Sequence, residues 1–141
     1  MHIRKLTTPE EIALSFDIFL ELRPYLPDVT FYINQVMQQQ KEGYEIIALM
    51  PKEEVVACAG FRIMTTLAWG KTLYIDDLIT GKKERGKGYA QTLLHHISSI
   101  ARENQCAQIH LDTGYTRHTA HKLYVNHGFD FHCHHLSLKV R

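Results

Sequence analysis

The sequence predicts one α/β domain spanning residues 1–141, with a mixed β-sheet of about seven strands and helices on both faces. Three observations carry that expectation. The chain has 141 residues, 45% of them hydrophobic and 22% charged, enough to bury a core without disulfide or metal support. No repeat, low-complexity tract or Pro/Gly/Ser-rich linker divides it. Apolar residues recur with period two in some segments and with helical spacing in others, in the order βααβββαβαββ. Strands clustered ahead of a strand–helix–strand crossover make a mixed sheet.

The elements follow in order. His2–Leu6 alternates polar and apolar, as a short strand does. Thr8-Pro9-Glu10-Glu11 is a capping box with Pro at the first helical position. Ile12, Phe16, Phe19, Leu20 and Leu22 then continue at helical spacing up to Pro24, whose ring disfavours helix at Arg23. A second helix follows Asp28 and stops at Gly43. Tyr44–Met50, Val55–Thr65 and Thr72–Thr80 read as strands, separated by Lys52-Glu53-Glu54 and by Ala68-Trp69-Gly70. Ala90, Leu93, Leu94, Ile97, Ile100 and Ala101 mark an amphipathic helix ending near Asn104. Ala107–Thr113 is a strand and Thr116–Asn126 a helix, with Gly128 placed to cap it. Phe129–His132 and His135–Val140 read as two closing strands.

Composition excludes little and favours no charged partner. The formal net charge is +1, so no global field draws the chain to nucleic acid or a membrane surface. Three scattered cysteines (Cys58, Cys106, Cys133) form neither a disulfide framework nor a CxxC metal pair. MHIRKLTTPEE lacks the apolar core of a secretory signal and no run is long enough to span a bilayer, so a cytoplasmic protein is expected. Seven of the ten histidines fall from His110 onward.

The segment Gly81-Lys82-Lys83-Glu84-Arg85-Gly86-Lys87-Gly88 lies between a strand and a helix. Helix N-terminal amides and their dipole favour an anion there, and Gly86 and Gly88 let a ligand approach the backbone. With Lys82, Lys83, Arg85 and Lys87 around the turn, the chemistry suits a pyrophosphate-bearing ligand. No GK[ST] follows, and the third glycine of GxGxxG is absent, so neither a Walker A loop nor a dinucleotide fingerprint is present. A basic surface turn is the plainer alternative.

Arg85-Gly86-Lys87-Gly88-Tyr89-Ala90 resembles the R/Q-x-x-G-x-G/A motif of the GNAT superfamily of N-acetyltransferases. Leu73–Thr80 resembles that family's fourth strand. Ala120-His121-Lys122-Leu123-Tyr124 followed by Gly128-Phe129 is similar to its A-x-x-F/L-Y-x-x-x-G-F signature. The likeness covers essentially the whole chain. It implies a GNAT-like splayed sheet and acetyl-CoA as cosubstrate, with no metal. The pantetheine arm would pair with Leu78, Ile79 and Thr80, and the pyrophosphate would rest on amides of Arg85, Gly86, Lys87, Gly88, Tyr89 and Ala90. Tyr124 falls where many members place a general acid for the leaving thiolate; a half-buried helix tyrosine is the plainer reading. Where many members carry Asn, this chain has Arg117, so that contact is not carried over.

Acyl transfer to an amine needs a group to take the amine's proton. Asp76 and Asp77 are adjacent on a strand and point to opposite faces unless a bulge intervenes. A similar acid pair in polyamine-acetylating relatives implies a cationic acceptor, with Asp76 matching its first acid. One of the two could equally be structural. His118, His121, His134, His135 and Asp112 offer a relay, a polar pocket wall or a metal site; no sharp ligand spacing supports a metal, and a histidine near Asp77 acting as the base stays open beside the acids. Phe31, Tyr32, Val36 and Met37 either roof the acceptor pocket or pack the second helix, and Trp69 is offered to a dimer contact.

The resemblance thus implies an acetyl-CoA-dependent N-acetyltransferase. It would act by direct transfer in a ternary complex on a primary amine, with a homodimer open; the short loops and single domain favour a small-molecule acceptor over a protein. The alternative is an acyl-CoA-binding regulatory module with little or no turnover. A histidine-rich metal-binding module is a third reading.

Overall fold

The computed structural model describes residues 2–115 and 117–140. Thr116, where the last helix is expected to begin, lies outside the described residues. The elements run β1 (Ile3–Leu6), α1 (Pro9–Ala13), α2 (Phe16–Leu22), α3 (Val29–Lys41), β2 (Tyr44–Leu49), β3 (Ala57–Thr66), β4 (Gly70–Thr80), a single 3-10 turn (Lys82–Glu84), α4 (Tyr89–Glu103), β5 (Gln108–Leu111) and α5 (His118–His127). Contacts divide them into two compact units, Met1–Leu111 and Asp112–Arg141.

The first unit is a five-stranded sheet in the order β1-β2-β3-β4-β5. The first three pairings are antiparallel, and β4–β5, joined across α4, is parallel. Side-chain alternation sorts the core onto two faces. Leu6, Tyr44, Ile46, Ala48, Met50, Cys58 and Ile79 pack with Ile12, Phe19, Tyr32 and Val36 from α1–α3. One residue on along the strands, Ile47, Leu49, Ala57, Ala59, Leu73 and Ile75 are also buried, as are Leu93, Leu94 and Ile97 of α4, which packs on β3, β4 and β5.

The capping box at Thr8 forms as expected: Glu11 N–H donates to Thr8 Oγ1 at 3.2 Å, and Thr8 N–H donates to Glu11 Oε1 at 3.0 Å. Thr7 and Arg4 add donors to the same carboxylate. The backbone N–H groups of Thr8 and Thr7 lead in lowering the Glu11 carboxyl from its ordinary 4.5 to about 2. A depressed carboxyl stabilises the fold above its unfolded value, and the gain is lost as pH falls through the folded one. Between pH 4.5 and 2, wild-type stability in denaturant titrations is therefore expected to fall more steeply with acid than that of Glu11→Gln. Parallel slopes would remove the cap from acid denaturation.

The first helix differs from the expectation. It breaks at Leu14–Ser15 into α1 and α2. Ser15 is fully buried; its Oγ donates to the Ile12 carbonyl at 2.7 Å and meets the Tyr32 hydroxyl at 2.7 Å. Such back-bonding to a local carbonyl competes with the helical ladder. The sheet also has five strands among the described residues, where about seven are expected. Residues 129–140 hold no strand, and Phe131, Leu136, Leu138 and Val140 are exposed. The alternation there names the face a strand would bury, but a strand needs a neighbour for its N–H and C=O groups, and none of the described strands pairs with it.

Candidate active site

Strand β4 carries the chemistry. Phe61 of β3 pairs with Ile75, but Gly60 pairs with Asp77, so Asp76 is an extra residue in the ladder. This is a β-bulge, and it gives both acids partners in a single polar cluster. Arg62 grips Asp76 as a fork, Nε to Oδ1 at 3.1 Å and Nη2 to Oδ2 at 2.6 Å. Arg23, at the end of α2, donates to Asp77 Oδ1 through Nε at 3.1 Å and Nη2 at 2.7 Å, and to the Asp76 carbonyl at 3.1 Å. The Tyr44 hydroxyl donates to Asp77 Oδ2 at 2.6 Å, and the Arg62 guanidinium carbon lies 5.5 Å from the Tyr44 ring centre. Burial, with the Asp77 charge second, pushes the Tyr44 phenol well up, so it stays a donor. Burial works against the Arg23 charge, but the hydrogen bond and charge of Asp77 outweigh it and raise that guanidinium.

Beyond the bulge the sheet opens. Parallel pairing of β4 with β5 ends at Ile75–Leu111, while β4 stays paired with β3 as far as Thr80. Alternate residues of an antiparallel strand aim both backbone groups away from the partner, so the Asp77–Thr80 stretch has a free edge on its β5 side within this unit. Thr80 Oγ1 is buried without a hydrogen-bond partner among the described residues. Leu78 and Thr80 are half-buried, whereas the Ile79 side chain is in the core, leaving only its backbone for a ligand.

The glycine-bearing loop comes next. Lys82 N–H is held by Glu21 Oε1 at 2.9 Å. Lys87 pairs with Glu84 at 2.6 Å, and Arg85 Nε reaches the Thr80 carbonyl at 3.4 Å. Gly86 and Gly88 both have φ of +81°, a region that costs other L-residues about 1–2 kcal/mol. Gly88 is the N-cap of α4 and supplies no side-chain cap, so it gives the first-turn amides no side-chain acceptor. A Cβ on either glycine would meet nothing within 4 Å.

Residues 11–129 match the acetyltransferase (GNAT) family. The chain belongs to that family. Among curated relatives of this GNAT chain, the "Uncharacterized N-acetyltransferase YhdJ" of Bacillus subtilis (strain 168) is 34% identical over 127 residues, 89% of each protein. The streptothricin acetyltransferase of Streptomyces lavendulae is 32% identical over 73 residues, 52% of this chain and 39% of that one. The ribosomal-protein-alanine N-acetyltransferase of Brucella melitensis biovar Abortus 2308 superposes with a TM-score of 0.85 at 15% identity, over 99% of this chain and 100% of that one. A Trypanosoma brucei acetyltransferase gives 0.81 at 18%, over 99% of each; at such identities the likeness is one of fold. This GNAT protein is therefore an acyltransferase with the family's α/β fold, and acetyl-CoA is the family's cosubstrate. The residues fit that group: the β4 edge, the Thr80 hydroxyl and the backbone amides of 86–90, opened by the two glycines Gly86 and Gly88, offer it neutral donors, an acceptor and an anion seat.

In the second unit, Tyr124 lies on α5, which ends at Gly128 with φ of +115°. Its ring packs edge-on to Phe129 at 5.8 Å. Burial raises its phenol, opposed by the Arg117 charge. The rings of His118 and His121 lie 5.8 Å apart, and His135 pairs with Asp112 at 3.0 Å. Among the described residues no three His, Cys, Asp or Glu side chains form a metal-holding group. Trp69 stacks on His110 at 3.7 Å. Tyr32 and Val36 are core residues, while Phe31 and Met37 remain substantially exposed.

Sequence reasoning missed Arg23, Tyr44, Gly60 and Arg62. Two of them left a signal. A glycine inside an apolar strand marks a close approach, and an arginine two residues later on the same strand needs a partner across the sheet.

Proposed function

We propose that this protein transfers an acetyl group from acetyl-CoA to a primary amine of a small molecule, directly, in a ternary complex. The observation that carries the reading is the free edge of β4, with a Thr80 hydroxyl unpartnered among the described residues, leading on to the N-terminus of α4, where the N-cap is Gly88 and no side chain caps the helix. In this reading residues 1–141 act as one catalytic domain. Backbone groups of Leu78, Ile79 and Thr80 bind the pantetheine arm, and amides of Arg85, Gly86, Lys87, Gly88, Tyr89 and Ala90 hold the pyrophosphate. Acetyl-CoA supplies the activated acyl group: the amine nitrogen bonds to the acetyl carbon, the carbon–sulfur bond breaks, and sulfur leaves as the thiolate.

Asp76 takes the proton from the amine, directly or through water. Each of its oxygens accepts one hydrogen bond from Arg62, and a carboxylate oxygen has room for more. Asp77, holding three donors, fixes the bulge and is a positioning residue. Tyr124 donates its proton to the thiolate, a role taken from the family pattern.

Titration calorimetry with acetyl-CoA tests the reading. Wild type is expected to bind; Gly88→Trp, folded by circular dichroism, is expected to bind at least about tenfold more weakly, because the indole fills the phosphate seat. Gly88→Asn, which tolerates a positive φ better, should fall between them. Failure of folded wild type to bind acetyl-CoA would sink the reading.

A further inference from the structure

The acid pair of β4 is not an anionic surface. Asp76 and Asp77 each carry their own guanidinium, so two positive and two negative charges cancel within one cluster. All four carboxylate oxygens already accept hydrogen bonds. In the Asp77 pair solvent reaches the arginine, not the acid: the side chain of Arg23 is 39% exposed and that of Asp77 12%. Arg62 and Asp76 are about equally exposed, at 24% and 21%.

A guanidinium has five N–H donors in a planar fork suited to a carboxylate. The hydrogen bonds of Arg23 to described residues run through Nε and Nη2, which leaves the two donors of Nη1 for a ligand. Arg23 sits where α2 ends, beside the exposed Pro24 and Tyr25, so a small molecule has access to it. Its partner Asp77 directly precedes Leu78, where the free edge of β4 continues. A second or third positive charge on an acceptor would find no uncompensated carboxylate there, because each acid is already paired. An anionic group would find the donors of Arg23 Nη1.

We infer that the acceptor carries a carboxylate beside its primary amine, as an amino-acid-like zwitterion does, with Arg23 binding that carboxylate and Asp76 facing the amine. The inference rests on the acetyl-transfer reading and narrows it; it departs from the polyamine expectation drawn from the acid pair in the sequence.

The test begins with acetyl-CoA binding by calorimetry on the wild-type protein, then follows release of the CoA thiol. Acceptors are offered as matched pairs, each free amino acid against its carboxamide, with spermidine alongside. At least one amino acid is expected to exceed its carboxamide in kcat/KM by about tenfold or more, the scale of one charge-assisted hydrogen bond. Arg23→Gln should collapse that ratio towards one, and Arg23→Lys, which keeps the charge but cannot hold Asp77 and a ligand with one planar group, should keep part of it. A ratio taken within one variant is insensitive to how much of it folds, and the wild-type panel stands without any variant. Carboxamide or spermidine preferred, no turnover of any carboxylate acceptor, or a ratio unmoved in Arg23→Gln overturns the inference while acetyl-CoA binding still stands. No acetyl-CoA binding overturns the parent reading with it.

Discussion

Gly60→Ala is expected to destabilise the sheet by on the order of 3–5 kcal/mol, summing overpacking with a broken buried polar contact. A Cβ at this position would lie 1.8 Å from the Tyr44 hydroxyl oxygen and 2.3 Å from the ring carbon that bears it. Tyr44 starts on β2 and bonds to Asp77 on β4, so its side chain crosses β3, and Gly60 is the β3 residue that pairs with Asp77. The phenol passes over that glycine. Tyr44 is 3% exposed and is flanked by the Arg62 guanidinium, so it cannot step aside without breaking its 2.6 Å bond to Asp77. Denaturant unfolding measures the loss. A double-mutant cycle checks its cause: Tyr44→Ala costs about 3–5 kcal/mol alone as a core truncation, but it also removes the clash. The double variant should be no less stable than Tyr44→Ala, a coupling of several kcal/mol. Additive losses would mean that the glycine serves some other purpose.

That cluster marks where sequence reading stops. The loop around Gly86 and Gly88 was legible because its chemistry is local: adjacent residues, a strand before and a helix after. The family motifs at Arg85–Ala90 and Ala120–Phe129 are local in the same sense, and so is the Thr8–Glu11 box. The acid pair was legible only conditionally, since Asp76 and Asp77 enter one cluster only if the ladder slips by a residue, and a bulge leaves no composition signal. Neither partner of Asp77 was legible at all. Arg23 and Tyr44 lie 54 and 33 residues from Asp77 in the chain, and nothing near either says which carboxylate it will meet. The same holds for Ser15, whose buried bond to Tyr32 splits a helix that its apolar spacing would run through. Phe129–His132 and His135–Val140 are expected as strands, yet apolar alternation selects a face and not a neighbour, and the segment is without a strand partner in the sheet described.

Tyr124→Phe tests the acid role proposed for that phenol. If the phenol gives its proton to the departing thiolate, removing it should lower kcat by about 10²–10⁴, the usual range for a general acid, with little change in the acetyl-CoA dissociation constant. The pH profile carries the same information with a fixed sign. Burial leads in raising the Tyr124 phenol above its ordinary value of 10.0, against the pull of Arg117. The active, protonated form therefore persists through neutral pH, and activity should decline only as pH rises through that raised value. In Tyr124→Phe that alkaline limb should be missing from whatever rate is left. A regulatory acyl-CoA-binding module predicts otherwise: wild type would bind acetyl-CoA yet acetylate no amine, and the substitution would have no rate to remove. A Phe variant that binds and turns over as wild type does would leave Tyr124 as a packing residue, its ring against Phe129. The thiolate's proton would then have to come from solvent or from another donor, while the case for acetyl transfer, which stands on the β4 edge and the α4 start, would be untouched.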